Sequence, residues 1–150
     1  ATRHELGKRP GTRRSIDHEP LGRRVKALLD TSVLIATGVP ALDGELAISS
    51  ASIAELHFGV MVTADDATRA ERLRRLTMLQ RSFDSLPIDD QVAASYGRLA
   101  AAVVHVGRQP RSRVFDLLIA ATAHAHEARL YTRNAVDLVG LDDLIEIVAV

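Results

Sequence analysis

From Val25 onward, short apolar runs alternate with longer stretches of helical periodicity. Val25–Leu29 has the length and character of a buried strand and ends at Asp30. Thr31–Thr37 reads as a helical turn stopped by Gly38 and Pro40. Leu46–Ser49 predicts a second strand, and Ser50–Met61 a helix with Ile53, Leu56, Val60 and Met61 on one face. Asp65 and Asp66 stand where a helix N-terminus favours acids, ahead of an arginine-rich segment to Arg81 that carries Leu73, Leu76 and Leu79. Leu86–Ile88 predicts a third strand. Asp89 then caps a long helix to Val106, with Val92, Tyr96, Leu99 and Val103 at helical spacing. The basic loop Gly107–Arg113 opens onto an apolar helix, Val114–His126. Arg129–Thr132 and Leu144–Val148 complete the strands, with a short helical piece at Ala135–Val139. Five short strands alternating with helices predict an α/β fold, a central and mostly parallel five-stranded sheet with helices on both faces.

A chain of 150 residues suits one domain, which buries roughly two-thirds of the surface its unfolded chain exposes. Cysteine is absent, which removes disulfides, thiol nucleophiles and Cys-ligated metals, and fits a cytoplasmic location. The longest stretch without Asp, Glu, Lys or Arg is Thr31–Leu42, short of the roughly 18 apolar residues a spanning helix needs. No membrane segment is expected, and no secretory apolar region follows the basic N-terminus. Five aromatic residues are too few for a base-stacking RNA platform. The net charge of zero hides an asymmetry. Residues 1–26 hold eight Lys or Arg against three acids, while the remainder holds 11 Arg against 16 acids. Residues 1–24 show little apolar periodicity, so they are expected to form a flexible basic extension outside a domain spanning residues 25–150. Such an arm can bind polyanions or simply be solvated.

Several familiar sites are missing. There is no Gly-x-Gly-x-x-Gly, no phosphate-binding Gly-Lys-Ser/Thr loop, no His-Glu-x-x-His and no Gly-x-Ser-x-Gly elbow. His124 and His126, two apart on a helix, cannot chelate one ion together. The acids carry more. Asp30 directly follows an apolar strand, where ligands gather in parallel sheets, although an N-cap role explains it equally well. Glu55 is a carboxylate inside an apolar helix, although Ser52-x-x-Glu55 also matches a capping box. Asp116 opens the apolar helix just after Arg108, Arg111 and Arg113, where an anionic substrate can be gripped. Tyr131-Thr132-Arg133-Asn134-Ala135-Val136-Asp137 adds an amide and another carboxylate near the same sheet edge. Clustered carboxylates repel unless a cation sits among them. Oxygen ligands without sulfur or convergent imidazole suit Mg²⁺ or Mn²⁺, ions that serve phosphodiester chemistry.

The four segments Leu29–Ile35, Ile53–Gly59, Asp116–Ala123 and Thr132–Asn134, in this order and spacing, resemble the PIN domain, specifically the VapC-type toxin ribonucleases of bacterial toxin–antitoxin pairs. The resemblance spans about residues 26–150 and implies a PIN-like three-layer α/β/α fold. It implies that Asp30, Glu55 and Asp116 form an acidic triad for Mg²⁺ or Mn²⁺. A fourth acid is common in the family near the Thr-x-Asp/Asn turn; here either Asn134, which holds that place, or Asp137, three residues on and a candidate metal ligand, completes the catalytic site. Thr31, Ser32 and Thr132 become ligand-orienting groups, and Arg108, Arg111, Arg113 and Arg133 candidate RNA contacts. The implied reaction is endonucleolytic cleavage of RNA, with transfer or ribosomal RNA as substrate, through attack by a metal-activated water. A cognate antitoxin, a homodimer and higher toxin–antitoxin assemblies are the implied partners. The alternative of another class is a PIN-like regulator acting through an antitoxin–DNA complex with little nuclease activity. A receiver domain is disfavoured because the only lysines, Lys8 and Lys26, lie at or before the first strand. A haloacid-dehalogenase-like phosphatase is disfavoured because Ser32 stands where its second Asp belongs.

Overall fold

The computed structural model describes residues 26–150; the basic extension at 1–24 and the first residue of the expected strand, Val25, lie outside the described residues. The strands are β1 Lys26–Leu29, β2 Glu45–Ser49, β3 Asp84–Leu86, β4 Arg129–Thr132 and β5 Ile147–Ala149. The helices are α1 Thr31–Leu34, α2 Ser50–Val62, α3 Asp66–Ser82, α4 Asp90–His105 and α5 Val114–Ala125, with 3₁₀ turns at Pro110–Arg113 and Ala135–Leu138. The strands form one sheet in the order β3-β2-β1-β4-β5, and all four pairings are parallel.

Alternation along β1 divides the interior into two cores. Leu28 faces α4 and α5, where it meets Val92, Leu99, Leu117 and Ala120, while Ala27 and Leu29 face Val33, Leu34 and Leu79 on the other side. Each fully buried aliphatic side chain contributes about 1.5–3 kcal/mol relative to exposure, so the paired layers carry the fold. The stripe Val92, Leu99 and Val103 of α4 is spent on this interior, with Tyr96 packed against it.

Several local expectations are met and others shift. Asp65 and Asp89 cap α3 and α4, accepting from Thr68 N and Val92 N. β3 begins and ends two residues earlier than the apolar run suggested, because Pro87 has no N–H to continue a ladder; Ile88 is left exposed. β5 starts at Ile147 instead of Leu144. Leu144 N and Ile145 N both bond to Leu141 O, so residues 141–145 close a turn before pairing begins. On α2, Val60 is buried but Met61 points outward, and on α3 Leu73 is likewise exposed beside buried Leu76 and Leu79. Among the described residues no helix is long and apolar enough to cross a membrane.

Candidate active site

In the sheet order, β1 is flanked by β2 on one side and β4 on the other, so the chain builds outward from β1 through β2 and β3 and then crosses back to β4 on the opposite side. The carboxyl ends of β1 and β4 therefore bound a crevice where the backbones diverge, the place at which parallel sheets collect ligands. Asp30 follows β1 there, with its N–H bonded to Tyr131 O at 2.9 Å.

Asp30 occupies the N-cap position of α1 but makes no side-chain cap bond. Its carboxylate instead accepts from two hydroxyls at Oδ2, Thr132 Oγ1 at 2.6 Å and Ser32 Oγ at 3.1 Å. Each hydroxyl in turn accepts a backbone N–H from the turn after β4: Asn134 N to Thr132 Oγ1, and Arg133 N to Ser32 Oγ, both at 3.0 Å. Two amide–hydroxyl–carboxylate chains thus aim this buried acid, and each donor polarises the next. Asn134 acts here through its main chain, and its side chain is exposed.

Glu55 enters from α2. That helix is capped by Ser49, whose Oγ accepts from Ala51 N, so Ser52 lies inside the helix and the expected capping box does not form. Glu55 is freed for the crevice, where Oε1 accepts from Thr31 Oγ1 at 2.9 Å; Ser52 Oγ lies at the same distance from that hydroxyl. Burial holds the Glu55 carboxyl above its ordinary range, with Asp116 and Asp30 adding repulsion and the Thr31 bond opposing it. Asp116 sits in the first turn of α5 and has no hydrogen-bond partner among the described residues. Burial raises its pKa first, then the charges of Asp30 and Asp137, against the opposing charge of Arg113. Three carboxylates from β1, α2 and α5 therefore share one electrostatic environment.

Asp137 lies in the 135–138 turn and is held by Arg113, whose Nη1 is 2.8 Å from Asp137 Oδ1. Arg108 Nη1 donates to Val136 O at 3.3 Å. Two of the arginines expected to face substrate thus brace the turn, whereas Arg111 and Arg133 are exposed. Open grooves flank the acids. One of about 430 Å³ is walled by Thr31, Ile35, Glu55, Leu56, Arg72 and Arg75, the other of about 450 Å³ by Ser32, Thr37, Arg133 and Asn134. Sequence reasoning missed Arg75, which donates to Leu34 O and Ala36 O and so secures the end of α1 next to Asp30. Nothing in the local pattern marks that contact, since it joins positions about 40 apart.

The donor set is chemically that of a hard divalent cation: carboxylate and hydroxyl oxygens, with mutual repulsion that a cation relieves. Among the described residues, no three acidic or imidazole side chains are already drawn together as a metal cage. The residues fit such an ion by chemistry, and the carboxylates would have to move to close around it.

Residues 27–136 match the PIN domain family model, so the chain belongs to the PIN domain family. Within that family it groups with the VapC-type ribonucleases. Ribonuclease VapC8 of Mycobacterium tuberculosis (strain CDC 1551 / Oshkosh) is 38% identical over 100 residues, 64% of this chain and 88% of that protein. Ribonuclease VapC5 of M. tuberculosis (strain ATCC 25618 / H37Rv) is 34% identical over 121 residues, 77% of this chain and 87% of that protein. The crystal structure of VapBC-5 from M. tuberculosis, a member of the VapBC family of toxin–antitoxin systems, superimposes with a TM-score of 0.71. It is 32% identical and covers 84% of this chain and 99% of that one.

Proposed function

We propose that this chain is the toxin ribonuclease of a toxin–antitoxin pair, cleaving RNA endonucleolytically with Mg²⁺ or Mn²⁺ held by Asp30, Glu55 and Asp116. The observation that carries the reading is the mutual repulsion of these three carboxylates at the switch point of the sheet, in a chain that groups with VapC-type ribonucleases. When bound, such an ion polarises a phosphate oxygen and lowers the pKa of water. The chain's own residues orient and bind. Thr132 and Ser32 aim Asp30, Thr31 aims Glu55, Arg133 offers an exposed guanidinium to RNA phosphates along the flanking groove, and Arg111 offers another from the turn before α5. Transfer or ribosomal RNA is the substrate class, which places the activity in the cytoplasm.

The partner in this reading is a cognate antitoxin, as in the toxin–antitoxin complex that the chain resembles at 32% identity. Exposed Phe58, Met61 and Val62 on α2, and Val104, Val106 and Phe115 around the α4–α5 connection, supply apolar area for the antitoxin and for a second copy of the chain. A binding-only regulator is the second reading, favoured by Asn134 at the place of a fourth acid and by the engagement of Asp137 with Arg113.

Purified, antitoxin-free protein incubated with total transfer and ribosomal RNA in Mg²⁺, Mn²⁺ or EDTA separates the two. Discrete fragments that require metal, and fall at least about 100-fold in Asp30→Asn, Glu55→Gln and Asp116→Asn, are the expected result. Intact RNA with folded protein under every condition selects the regulator.

A further inference from the structure

We infer that Arg113 withholds Asp137 from the metal-binding carboxylates, so that the site takes a single divalent ion. The inference rests on the metal-dependent reading above. One nitrogen, Nη1 of Arg113, lies 2.8 Å from Asp137 Oδ1 and donates to the Asp137 main-chain oxygen at 2.9 Å. Gripping a residue by both carboxylate and carbonyl fixes its rotamer as well as its charge. Arg113 ends the 3₁₀ turn that precedes α5, three residues before Asp116, so its side chain reaches across the mouth of the cleft to the 135–138 turn. Arg108 adds a second tie to that turn through Val136 O. The Arg113 and Asp137 side chains are 32% and 39% exposed, whereas the looser Arg69–Asp66 pair, at 3.5 Å, has its acid almost fully in water. The former is accordingly the less screened of the two.

Ligand counting then sets the ion number. Asp137 is engaged by Arg113, and Asn134 offers a neutral amide beside Thr132. Asp30, Glu55 and Asp116 remain, one set of three carboxylates for one divalent ion. A second divalent ion would need a further anionic ligand, which the Arg113 grip on Asp137 does not leave free.

Mn²⁺ titration of the full chain, by calorimetry or by electron paramagnetic resonance of the free ion, tests this without reference to cleavage. Wild type should bind one ion. Arg113→Gln/Asp137→Asn removes one charge of each sign, and should still bind one ion with affinity within about threefold of wild type, because neither group is a ligand. Arg113→Gln alone releases Asp137 and should bind Mn²⁺ roughly tenfold tighter or take a second ion. Should that variant not fold, Asp137→Asn alone serves, and is expected to keep a stoichiometry of one. Two ions in the wild type, or a loss in the double variant as large as in Asp116→Asn, would overturn the inference. Unaltered Mn²⁺ binding by Asp116→Asn would instead sink the metal-dependent reading itself.

Discussion

Asp30 and Asp116 reach the same cleft from opposite kinds of support. Asp30 stands at a strand end, buried, with two hydroxyls donating to one oxygen and a backbone amide behind each hydroxyl. Asp116 stands at a helix start, half-buried, without a hydrogen-bond partner among the described residues and pressed upward in pKa by burial and by Asp30. The strand-end region is organised by hydrogen bonds alone. The helix-start region is left electrostatically unsatisfied. One acid is thus fixed by hydrogen bonds, and the other is exposed to its neighbours' charge.

That contrast breaks most visibly on the strand-end side. Thr132→Val removes the 2.6 Å donor while preserving shape, and leaves both Asp30 and Asn134 N short of a partner. A loss of about 1–3 kcal/mol is expected, read as a fall in Tm of several degrees, together with roughly tenfold or greater weakening of Mn²⁺ binding. Unchanged melting and metal binding would show that the hydroxyl chain organises nothing.

A smaller effect of opposite sign is expected on the helix side. Asp116→Asn removes a carboxylate that folding places near like charges, so the metal-free variant should melt about 1–2 °C higher than wild type while losing its Mn²⁺-induced rise in Tm. A lower Tm would contradict the repulsion deduced from the structure.

The pH dependence sharpens the same point. Glu55 and Asp116 have folded-state pKa values raised above their unfolded values, so the folded state binds protons more readily. Their contribution to the stability of the metal-free chain is present at low pH, below the ordinary carboxylate range, and is lost as pH rises through the raised folded values. Mn²⁺ affinity must move the other way, falling as pH drops through that raised range, because protons compete for the same oxygens. The metal-free Tm difference between Asp116→Asn and wild type should therefore widen as pH rises through that range, while the Mn²⁺ affinity of wild type rises with it.

The smallest expected effect concerns the rim. Arg111→Gln and Arg133→Gln lie outside both acid supports and should leave Tm and Mn²⁺ binding unchanged. Each should weaken RNA binding by Asp30→Asn protein only severalfold, and reduce the magnitude of the salt slope by up to about one. Anisotropy titrations at several salt concentrations resolve this.

Much of the molecule was legible along the chain because strands and helices announce themselves by local spacing. The five strands, the capped helices at Asp65 and Asp89 and the inward stripe of α4 all follow from neighbours a few residues apart. The positions of Asp30 after β1 and of Asp116 in the first turn of α5 follow from parallel α/β topology, whereas Glu55 lies within α2. Their competing capping roles were settled only by tertiary structure, which assigns Asp30 to Thr132, 102 residues away, and Glu55 to Thr31. The shift of β3 depended on Pro87, and the shortening of β5 on the turn at 141–145. The fate of Asp137 was out of reach as well. Its neutralisation requires a guanidinium 24 residues earlier to arrive at 2.8 Å. Periodicity encodes which face a residue occupies; only the closed fold decides which distant donor stands opposite it.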